Sequence, residues 1–528
     1  MAILIEPSYS SWFGLFSAIA LVIFLYKAVF TTRRAKLPIY STHSGWFASW
    51  HNSLEYLRDS SGVLRSGYAK FSKKGLFYQL RTPVRWVIVV PPEFVDEIRT
   101  APPDYLSAKV SANDVVQTRY TVSPVVESNK FHFHILKTHL TPSLERNITD
   151  LLDEIKLVFS AEIGSSQDWK PVVMSHAAHR IATRTANRLL VGAPLCRNEE
   201  YLQMSIKYTV DVFGGADKLR AWPDFLKPAV TYLVTNVKER QKIARKHLIP
   251  YIKARLAEED QIKEKGLQNT KPVDSLQWVI DAAPSAQERD PERLMYRLLH
   301  LNVSAVHTTS VTFLNCMFDL ASHPEIITEL REEIEAALDT YGWSARGLSQ
   351  LRKLDSFMLE SQRLAPIASC EYSNIQIWYF KAQNSDLMLR LAQMTRAVVR
   401  DFTFSDGTTV PKGSYVLVPM YAMYLDDDLY PRASEFDAFR WSKLRDQPGA
   451  ENRYQFVTTS PTHINFGHGK DACPGRFFAA QEIKLLLAHV ILHYDIRLED
   501  PSNGHPKPTW YDRSRRPNQT ARVFFRSR

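Results

Sequence analysis

The sequence predicts a mainly α-helical protein with minor β structure, arranged as one large domain behind an N-terminal transmembrane helix. Residues 141–338 read mostly as helices that alternate charged and apolar stretches. Residues 75–92 are rich in Val, Ile, Trp and Tyr, which is typical of a strand pair. Residues 12–30 carry Lys27 as their only charge, and 19 helical residues span roughly 28 Å, close to the thickness of a bilayer core.

The composition excludes several classes of protein. Hydrophobic residues make up 45% and charged residues 23% of the 528 positions, which rules out extensive disorder. The net charge of +10 suits an anionic membrane surface or an acidic protein partner. No basic run interleaved with aromatic residues is present, so nucleic acid is not an expected partner. The 4 cysteines are scattered, which argues against a disulfide scaffold and against a zinc ribbon.

The N-terminal segment is predicted to be an uncleaved membrane anchor. Three cations stand at residues 33–36, directly after the apolar stretch, so the positive-inside rule places the following chain in the cytosol. A cleavable signal peptide would carry its cations before the apolar run, and a buried N-terminal helix is the other alternative. We therefore expect residues 1–11 in the lumen, 12–30 in the membrane and 31–528 as the cytosolic domain.

Further elements follow from periodicity and boundary residues. Helices are predicted over 291–322, about 324–341, about 349–364 and about 474–493, and strands around Asp406-Gly407 and over 411–420. The first of these helices is uncharged in its middle when its histidines are neutral. A helix that is apolar on all sides belongs in the core.

The segment NFGHGKDACPGRFFAA carries most of the functional information. Phe466, Gly469, Cys473 and Gly475 stand in the pattern F-x-x-G-x-x-x-C-x-G. The glycines allow a tight turn, after which Cys473 enters a helix whose N-terminus stabilises a thiolate. A lone thiolate does not make a structural zinc site but suits haem iron. The alternative is a buried structural cysteine beside a glycine-rich turn.

At these residues the sequence resembles the cytochrome P-450 family, and in particular its membrane-anchored fungal members, from about residue 38 onward. The resemblance implies the cytochrome P-450 fold and a haem cofactor whose iron takes Cys473 as its axial ligand, with Phe466 as a further haem-binding residue. Glu360 and Arg363 match the family's E-x-x-R motif, and FDAFRW matches the loop that supplies Arg440. In the family these three side chains form a structural network.

The resemblance also assigns residues on the long helix. The segment Ser304–Thr309 aligns with the family pattern A-G-x-[D/E]-T-T. Thr308 is therefore expected to assist catalysis by relaying protons to oxygen. His307 replaces the usual acid, and it is either a second proton relay, since histidine titrates near neutrality, or a space-filling core residue.

Charged residues near the haem are also implied by the resemblance. Lys137 and Arg396 fall at positions whose cations pair with the haem propionates in the family. Asp471 stands where the family usually has Arg or His, and we expect it to turn outward because a carboxylate would repel a propionate. Each of these charges could equally be a solvated surface group.

As a whole, the resemblance implies a haem-thiolate monooxygenase that uses O2 and electrons from an NADPH-cytochrome reductase. The substrate is expected to be an apolar small molecule that reaches a pocket lined by residues 104–129. Lys137, Arg476 and Lys484 would face the acidic reductase. The HTTS and FGHGK motifs are most similar to those of fungal enzymes that oxidise terpenoids, indole-diterpenes or meroterpenoids in secondary metabolism. Together with the predicted anchor, the resemblance implies a single-pass protein of the endoplasmic reticulum membrane. The alternatives are a haem-thiolate isomerase or dehydratase, or a non-catalytic haem protein.

Residues 370–390 form an anomaly of 21 residues that fits no part of the family pattern. Joining Ser369 to Leu391 restores an uninterrupted family-like segment. The first residues of the insertion can be encoded by an intron-donor-like string, which suggests a retained intron. A genuine surface loop is the alternative, although its Ile, Trp, Tyr and Phe residues would expose an apolar patch. A genuine insertion is expected to damage haem loading or substrate fit.

Overall fold

The computed structural model describes residues 34–45, 48–82, 85–220, 222–265, 271–366, 393–511 and 514–528. The predicted membrane anchor at 12–30 and the predicted insertion at 370–390 lie outside these residues. Among the helices that are described, none has the length and apolar character needed to cross a bilayer.

Helices dominate the described part of the chain. They are α1 (Ala48–Arg58), α2 (Ser60–Lys70), α3 (Val95–Thr100), α4 (Ala108–Val116), α5 (Thr118–Thr121), α6 (Pro124–Ser128), α7 (Phe131–Ile135), α8 (Ile148–Glu162), α9 (Met174–Leu190), α10 (Glu199–Leu219), α11 (Lys227–Val234), α12 (Val237–Glu264), α13 (Ser275–Asp281), α14 (Pro291–Ser322), α15 (Ile327–Tyr341), α16 (Ala345–Gln350), α17 (Arg352–Leu364), α18 (Met420–Tyr424), α19 (Arg440–Arg445) and α20 (Arg476–His493). The prediction of a mainly α-helical protein with minor β structure is thus confirmed.

The strands form small sheets at the edge of the helical body. They are β1 (Tyr78–Arg81), β2 (Trp86–Val89), β3 (Leu106–Ser107), β4 (Lys170–Val173), β5 (Gln393–Val398), β6 (Phe402–Thr403), β7 (Thr409–Val410), β8 (Tyr415–Val418), β9 (Tyr494–Leu498), β10 (Thr509–Tyr511), β11 (Ser514–Arg516) and β12 (Arg522–Ser527). The largest sheet has the order β1-β2-β8-β5-β3 and is antiparallel except for the parallel pair of β2 and β8. A second sheet has the order β4-β12-β9.

Helix α14 is the centre of the helical body. The Asp290 carboxylate caps its first turn by accepting from the N–H groups of Glu292 and Arg293. At 32 residues the helix is about 48 Å long, and it packs against α9, α10, α12, α17 and α20. Its side chains are buried from residue 298 to 321 except at Ser304, Ala305 and Thr308. That opening in an otherwise buried face marks an internal cavity.

Strand β5 carries a bulge that matters for the site. The register between β5 and β8 shifts between Gln393 and Arg396, and Met394 has a φ of +55°. A bulge breaks the alternation of side chains along a strand. As a result Met394, Thr395 and Arg396 all face the same cavity.

Most predicted elements are confirmed, with corrections at helix starts. The strand pair predicted within 75–92 is β1 and β2, and α14 has the predicted bounds. The helix predicted from about 349 begins at Arg352, because the separate helix α16, capped by Ser344, occupies the preceding residues. The last helix begins at Arg476 because Gly475 takes the N-cap position.

Candidate active site

A cavity of about 510 Å³ lies between α14 and the loop that carries Cys473. Helix α4, in the segment predicted to line the pocket, contributes Ala108, Ser111, Ala112 and Val115 to its wall. Strand β5 and helix α20 close its other sides, and most of the lining is apolar. Of the residues predicted from the sequence, Cys473, Phe466, Thr308 and Arg396 line this cavity.

The loop before Cys473 is held in a tight turn by its own backbone. The Cys473 N–H donates to the Phe466 carbonyl at 2.7 Å, and the Gly467 N–H donates to the Ile464 carbonyl at 2.8 Å. Gly467 and Gly469 have φ values of +72° and +73°, which L-residues with a Cβ rarely adopt. The glycines of the motif therefore serve the turn geometry that the sequence predicted for them.

Packing from outside also constrains this loop. A Cβ at Gly469 would overlap the side chain of Arg99, so only glycine allows this close approach. The Lys470 ammonium donates to the Ala101 carbonyl at 3.0 Å. These two contacts hold the loop against α3 and the residues that follow it.

The Cys473 side chain is free, and its exposed surface opens into the cavity. Burial of the site among protein atoms raises the pKa of the Cys473 thiol. The N–H groups of Gly475 and Arg476 and the positive charge of Arg476 act in the opposite direction but do not outweigh burial. A metal ion bound to the sulfur would act in the same direction as these groups and stabilise the thiolate.

Two other cysteines are described, and neither resembles Cys473. Cys196 and Cys316 are free but fully buried, and burial raises the pKa of both thiols. Neither lines the cavity. Of the described cysteines, Cys473 is thus the one that is open to a ligand.

Thr308 faces Cys473 across the same cavity. Its hydroxyl donates to the Ser304 carbonyl at 3.0 Å, one turn earlier in α14. Thr312 repeats the pattern by donating to the Thr308 carbonyl at 2.9 Å. Ser304, Thr308 and Thr312 all line the cavity, so the i, i+4 spacing produces a row of hydroxyl groups along one face of the helix.

His307 lies on a different face of α14, away from the cavity. Its Nε2 lies 3.1 Å from the carbonyl oxygen of Ile206 in α10, and its ring packs on that of His179 with centroids 5.1 Å apart. It is 4% exposed and does not line the cavity. The structure therefore favours the alternative of a core histidine, because neighbouring helical residues point about 100° apart.

Arg396 and Asp471 form an ion pair in the cavity wall, with the guanidinium 3.0 Å from the carboxylate. Asp471 is exposed, as expected, but it stays beside the cavity and pairs with Arg396 instead of leaving Arg396 free. Arg396 is buried, and burial lowers the pKa of its guanidinium while Asp471 acts to raise it. A buried cation needs a partner, and Asp471 provides one.

Lys137 lies outside the cavity that holds Cys473. It follows α7 in a π-helical turn over Leu136–Leu140, which changes the direction of its side chain relative to an α-helix. Lys137 lines a second cavity of about 340 Å³ with Lys470 and Arg476. Phe133, four residues before Lys137, does line the first cavity. The structure thus does not bring Lys137 to the propionate position predicted for it.

Lys484 is not part of any surface for a protein partner. Its ammonium lies 2.6 Å from the Asp355 carboxylate and donates to the Leu348 carbonyl at 3.2 Å, and the residue is buried. The prediction that Lys484 faces a reductase is wrong, because this side of α20 packs inside the protein.

Glu360, Arg363 and Arg440 are in direct contact. Arg363 donates to both carboxylate oxygens of Glu360 at 2.9 and 2.7 Å, and Arg440 donates to Glu360 at 3.1 Å. The remaining Arg363 hydrogens go to the carbonyls of Tyr424 and Ala433 at 2.6 Å each, and to that of Glu435 at 3.2 Å. The five guanidinium N–H groups of Arg363 are therefore all used, and they bind α17 to the segment that leads to α19.

A buried chain of side chains that the sequence did not indicate joins α7 to α14. Arg297 donates to Nδ1 of His132 at 3.2 Å, and His132 Nε2 lies 2.9 Å from His300 Nδ1. Because arginine can only donate, His132 carries its proton on Nε2 and donates it to His300. Burial lowers the pKa of His132 to about 2 and that of His300 to about 3, so both rings are neutral near pH 7.

Asn465 is a second site residue without a sequence signal. Its side chain is 7% exposed, lines the cavity and has no hydrogen-bond partner for either amide atom among the described residues. A buried polar group is usually satisfied, so the Asn465 amide is an exception among the described residues.

This geometry defines a class of protein. A lone cysteine in an F-x-x-G-x-x-x-C-x-G turn faces a row of hydroxyls on a long central helix, as in haem-thiolate enzymes. The family model for cytochrome P450 matches residues 56–373 and 389–521, and the chain therefore belongs to the cytochrome P450 family. The unmatched residues 374–388 fall within the segment identified as anomalous in the sequence.

The chain is similar over nearly all its length to cytochrome P450 monooxygenases from fungi. Cytochrome P450 monooxygenase 151 of Postia placenta is 34% identical over 91% of this chain and 91% of that protein. Cytochrome P450 monooxygenase olcJ of Penicillium canescens is 32% identical over 98% of this chain and 94% of that protein. These relatives identify the protein as a monooxygenase.

A solved structure shows the same fold. Retinoic acid bound cyanobacterial CYP120A1 matches with a TM-score of 0.65 over 93% of this chain and 100% of that chain. The identity is 18%, so this likeness concerns the fold. The prediction of the cytochrome P450 fold is confirmed.

Members of this family hold a thiolate-ligated haem, and the residues of the cavity fit that group. Cys473 offers one open sulfur, and Phe456 and Phe466 provide apolar surface for a porphyrin. Arg396 supplies a cation for a carboxylate, and the Asn465 amide is without a partner among the described residues. Haem accordingly accounts for the apolar walls and for the open sulfur together.

Proposed function

We propose that this protein inserts one atom of O2 into a C–H bond of an apolar small molecule, with electrons from NADPH delivered by a cytochrome reductase. The observation that carries the proposal is that Cys473 and Thr308 open onto one largely apolar cavity. Thiolate-ligated haem supplies the O–O cleavage chemistry when it is bound.

The residues of this chain have separate tasks in that reaction. Cys473 would hold the haem iron through its sulfur. The Thr308 hydroxyl donates to the Ser304 carbonyl at 3.0 Å, and rotation about its Cβ–Oγ bond would let it hold a proton toward the cavity instead. The apolar side chains of α4 and α14 exclude water and bind the substrate by burial.

Apolar substrates of the terpenoid, indole-diterpene or meroterpenoid type, as in fungal secondary metabolism, fit this site best. The residues of the HTTS and FGHGK motifs support this class of substrate, and so does the mainly apolar lining of the cavity. Such substrates partition into membranes, which agrees with an anchor at residues 12–30 in the endoplasmic reticulum membrane.

An acidic reductase would dock on the far side of the cysteine loop. Lys137 and Lys470 are exposed there, and Arg476 lines the same small cavity. Opposite charges on two partners speed their encounter and orient it. This leaves Lys137 a role in partner binding in place of the propionate contact.

The test is turnover by the purified protein with a cytochrome reductase, NADPH and a panel of terpenoid scaffolds. We expect products heavier by one oxygen atom that depend on both NADPH and O2. Cys473→Ala should lose both the products and the red-shifted Soret band of the ferrous carbon monoxide complex. Conversion that persists without NADPH and O2 would instead identify an isomerase or dehydratase.

A further inference from the structure

The cavity holds one cation and one carboxylate among the described residues, Arg396 and Asp471, and they are paired with each other. Arg396 also donates to the Thr395 carbonyl at 3.1 Å. The Asp471 carboxylate is 38% exposed, whereas the Arg396 side chain is 6% exposed. The charge of the buried guanidinium is thus already balanced by a residue of the chain itself.

Two features of the fold place these groups together. The bulge in β5 turns Arg396 toward the cavity. On the other side, Gly469 packs on Arg99 and Lys470 donates to Ala101, which holds the turn that carries Asp471 against the same cavity. These contacts fix the path of the loop next to the cavity, so Asp471 is held within reach of Arg396.

This pairing has an electrostatic consequence for haem. A haem group carries two propionate carboxylates, and a propionate that approaches Arg396 would share the guanidinium with Asp471. The pair of Arg396 and Asp471 has no net charge, so the Coulomb attraction that Arg396 alone would give is largely cancelled. Some N–H groups of Arg396 have no partner among the described residues, so it can bind a propionate as an oriented hydrogen-bond donor.

We propose that Asp471 is a positioning residue that orients Arg396 in the haem cavity and, through its charge, weakens the hold on haem and lowers the reduction potential of the iron. The proposal rests on the haem assignment and not on the substrate. A negative charge near the iron stabilises the ferric form over the ferrous form, since the ferric form carries one more positive charge. Replacing Asp471 by a neutral side chain of the same shape should therefore raise the reduction potential and slow the loss of haem.

The experiment uses the haem-loaded full chain without substrate and compares it with Asp471→Asn. Asparagine keeps an oxygen that accepts from Arg396 but removes the charge. Transfer of haem to excess apomyoglobin should be about threefold slower or more in the variant, and this difference should shrink at high salt because charges are screened. In spectroelectrochemical titration the reduction potential should shift upward. Asp471→Glu keeps the charge and should leave the potential near that of the parent protein.

Asp96→Asn is the matched control. Asp96 lies near the same loop, 3.7 Å from His468 and 2.7 Å from Arg99, but it does not line the cavity. The same change of charge at this position should leave haem transfer unchanged.

The rival role for Asp471 is purely structural support of Arg396. In that case Asp471→Asn would speed haem transfer in the parent and have no effect in an Arg396→Gln background. Faster transfer, an unchanged potential or a failure of Asp471→Asn to take up haem would each overturn the proposal, since it predicts a tighter hold. None of these readouts depends on turnover, so they remain informative if the proposed monooxygenase substrate class is wrong.

Discussion

Thr308 and His307 are adjacent residues whose side chains lie on different faces of one helix. Thr308 opens onto the cavity that holds Cys473, while the His307 ring contacts the Ile206 carbonyl and packs against His179. Only the first of the two is placed to move a proton into the cavity. Thr308 and His307 are adjacent in one sequence motif, but only Thr308 lies where it could take part in the reaction.

Thr308→Ala should uncouple the reaction, because the hydroxyl that can hold a proton toward the cavity is removed. We expect the product formed per NADPH consumed to fall by about a hundredfold, the lower end of what a positioned acid or base contributes. The measurement is the ratio of hydroxylated product and of hydrogen peroxide to NADPH. An unchanged ratio would contradict the role assigned to Thr308.

His307→Gln should leave that same ratio within about twofold, a change equivalent to less than about 0.5 kcal/mol. Glutamine can still donate a hydrogen bond toward Ile206, so the contact with α10 is partly kept. A collapse of coupling comparable to that of Thr308→Ala would show that His307 relays protons after all.

At the scale of secondary structure, the site depends on contacts that tie separate elements to each other. Glu360 accepts from five groups: twice from Arg363, and once each from Arg440, the Asp437 N–H and the Trp441 indole. This buried carboxylate connects α17 to the start of α19. The chain that follows α19 leads to the loop that carries Cys473. The network therefore helps to fix the position at which this loop begins.

Arg363→Lys should destabilise the protein almost as much as removal of the side chain. Lysine has three N–H groups and Arg363 uses five, so buried acceptors would be left without donors. Each buried acceptor left without a donor costs about 1–3 kcal/mol. The measurement is the urea midpoint of the haem-loaded protein together with the fraction that gives the carbon monoxide band.

Lys443→Ala is the control for Arg363→Lys. Lys443 pairs with Asp437 at 3.3 Å in the same region, but its side chain is 67% exposed. Exposed pairs contribute about 0–1 kcal/mol, so the urea midpoint should barely move. An equal fall of the urea midpoint in the two variants would show that the buried network stabilises the protein no more than an exposed ion pair does.

The buried imidazoles of His132 and His300 predict a pH dependence of stability. Both pKa values are lowered by burial, to about 2 and about 3, so in acid the unfolded chain binds protons that the folded chain does not. Their contribution to stability is complete above pH 6.5 and is lost as the pH falls below it, at about 1.4 kcal/mol per pH unit for each ring.

The double variant His132→Gln and His300→Gln should therefore flatten the fall of the unfolding free energy between pH 6.5 and pH 5. Urea unfolding at a series of pH values measures this slope. His43→Gln, at a position that is 45% exposed, is the control and should keep the parent slope. A double variant with the parent slope would show that these rings are not the groups that titrate.

Local sequence motifs correctly predicted the residues whose positions depend only on the turn or helix that carries them. Cys473, Phe466 and Thr308 reach the cavity because the turn and the helix that carry them are locally determined. The surroundings of Lys137 and Asp471 were not predicted, since they depend on a π-helical turn and on a long-range ion pair with Arg396.

Long-range pairing explains what else was missed. Strand β4 pairs with β12 near the other end of the chain, and no local signal indicates such a partner. The chain from Arg297 to His300 is of the same kind, because α7 and α14 meet only in the fold.

Over the whole molecule, the resemblance to the family is continuous except at one place. The family match covers residues 56–373 and 389–521, and the interruption falls before β5, the strand that carries Arg396. An insertion at this point would lie in the chain between the α17 network and the cavity wall. If the insertion is present in the mature protein, it can therefore affect both the α17 network and the cavity wall.

Deletion of residues 370–390, which joins Ser369 to Leu391, should raise the yield of haem-loaded protein several-fold. The joined segment would lead from α17 directly into β5, and an apolar stretch that favours aggregation when exposed would be removed. The measurement is the carbon monoxide difference band per milligram of purified protein. A same-length replacement of 370–390 by a Gly/Ser sequence is the control, because it separates the effect of length from that of the apolar residues. Loss of the band on deletion, or mature transcripts that retain these codons, would establish the segment as a genuine part of the enzyme.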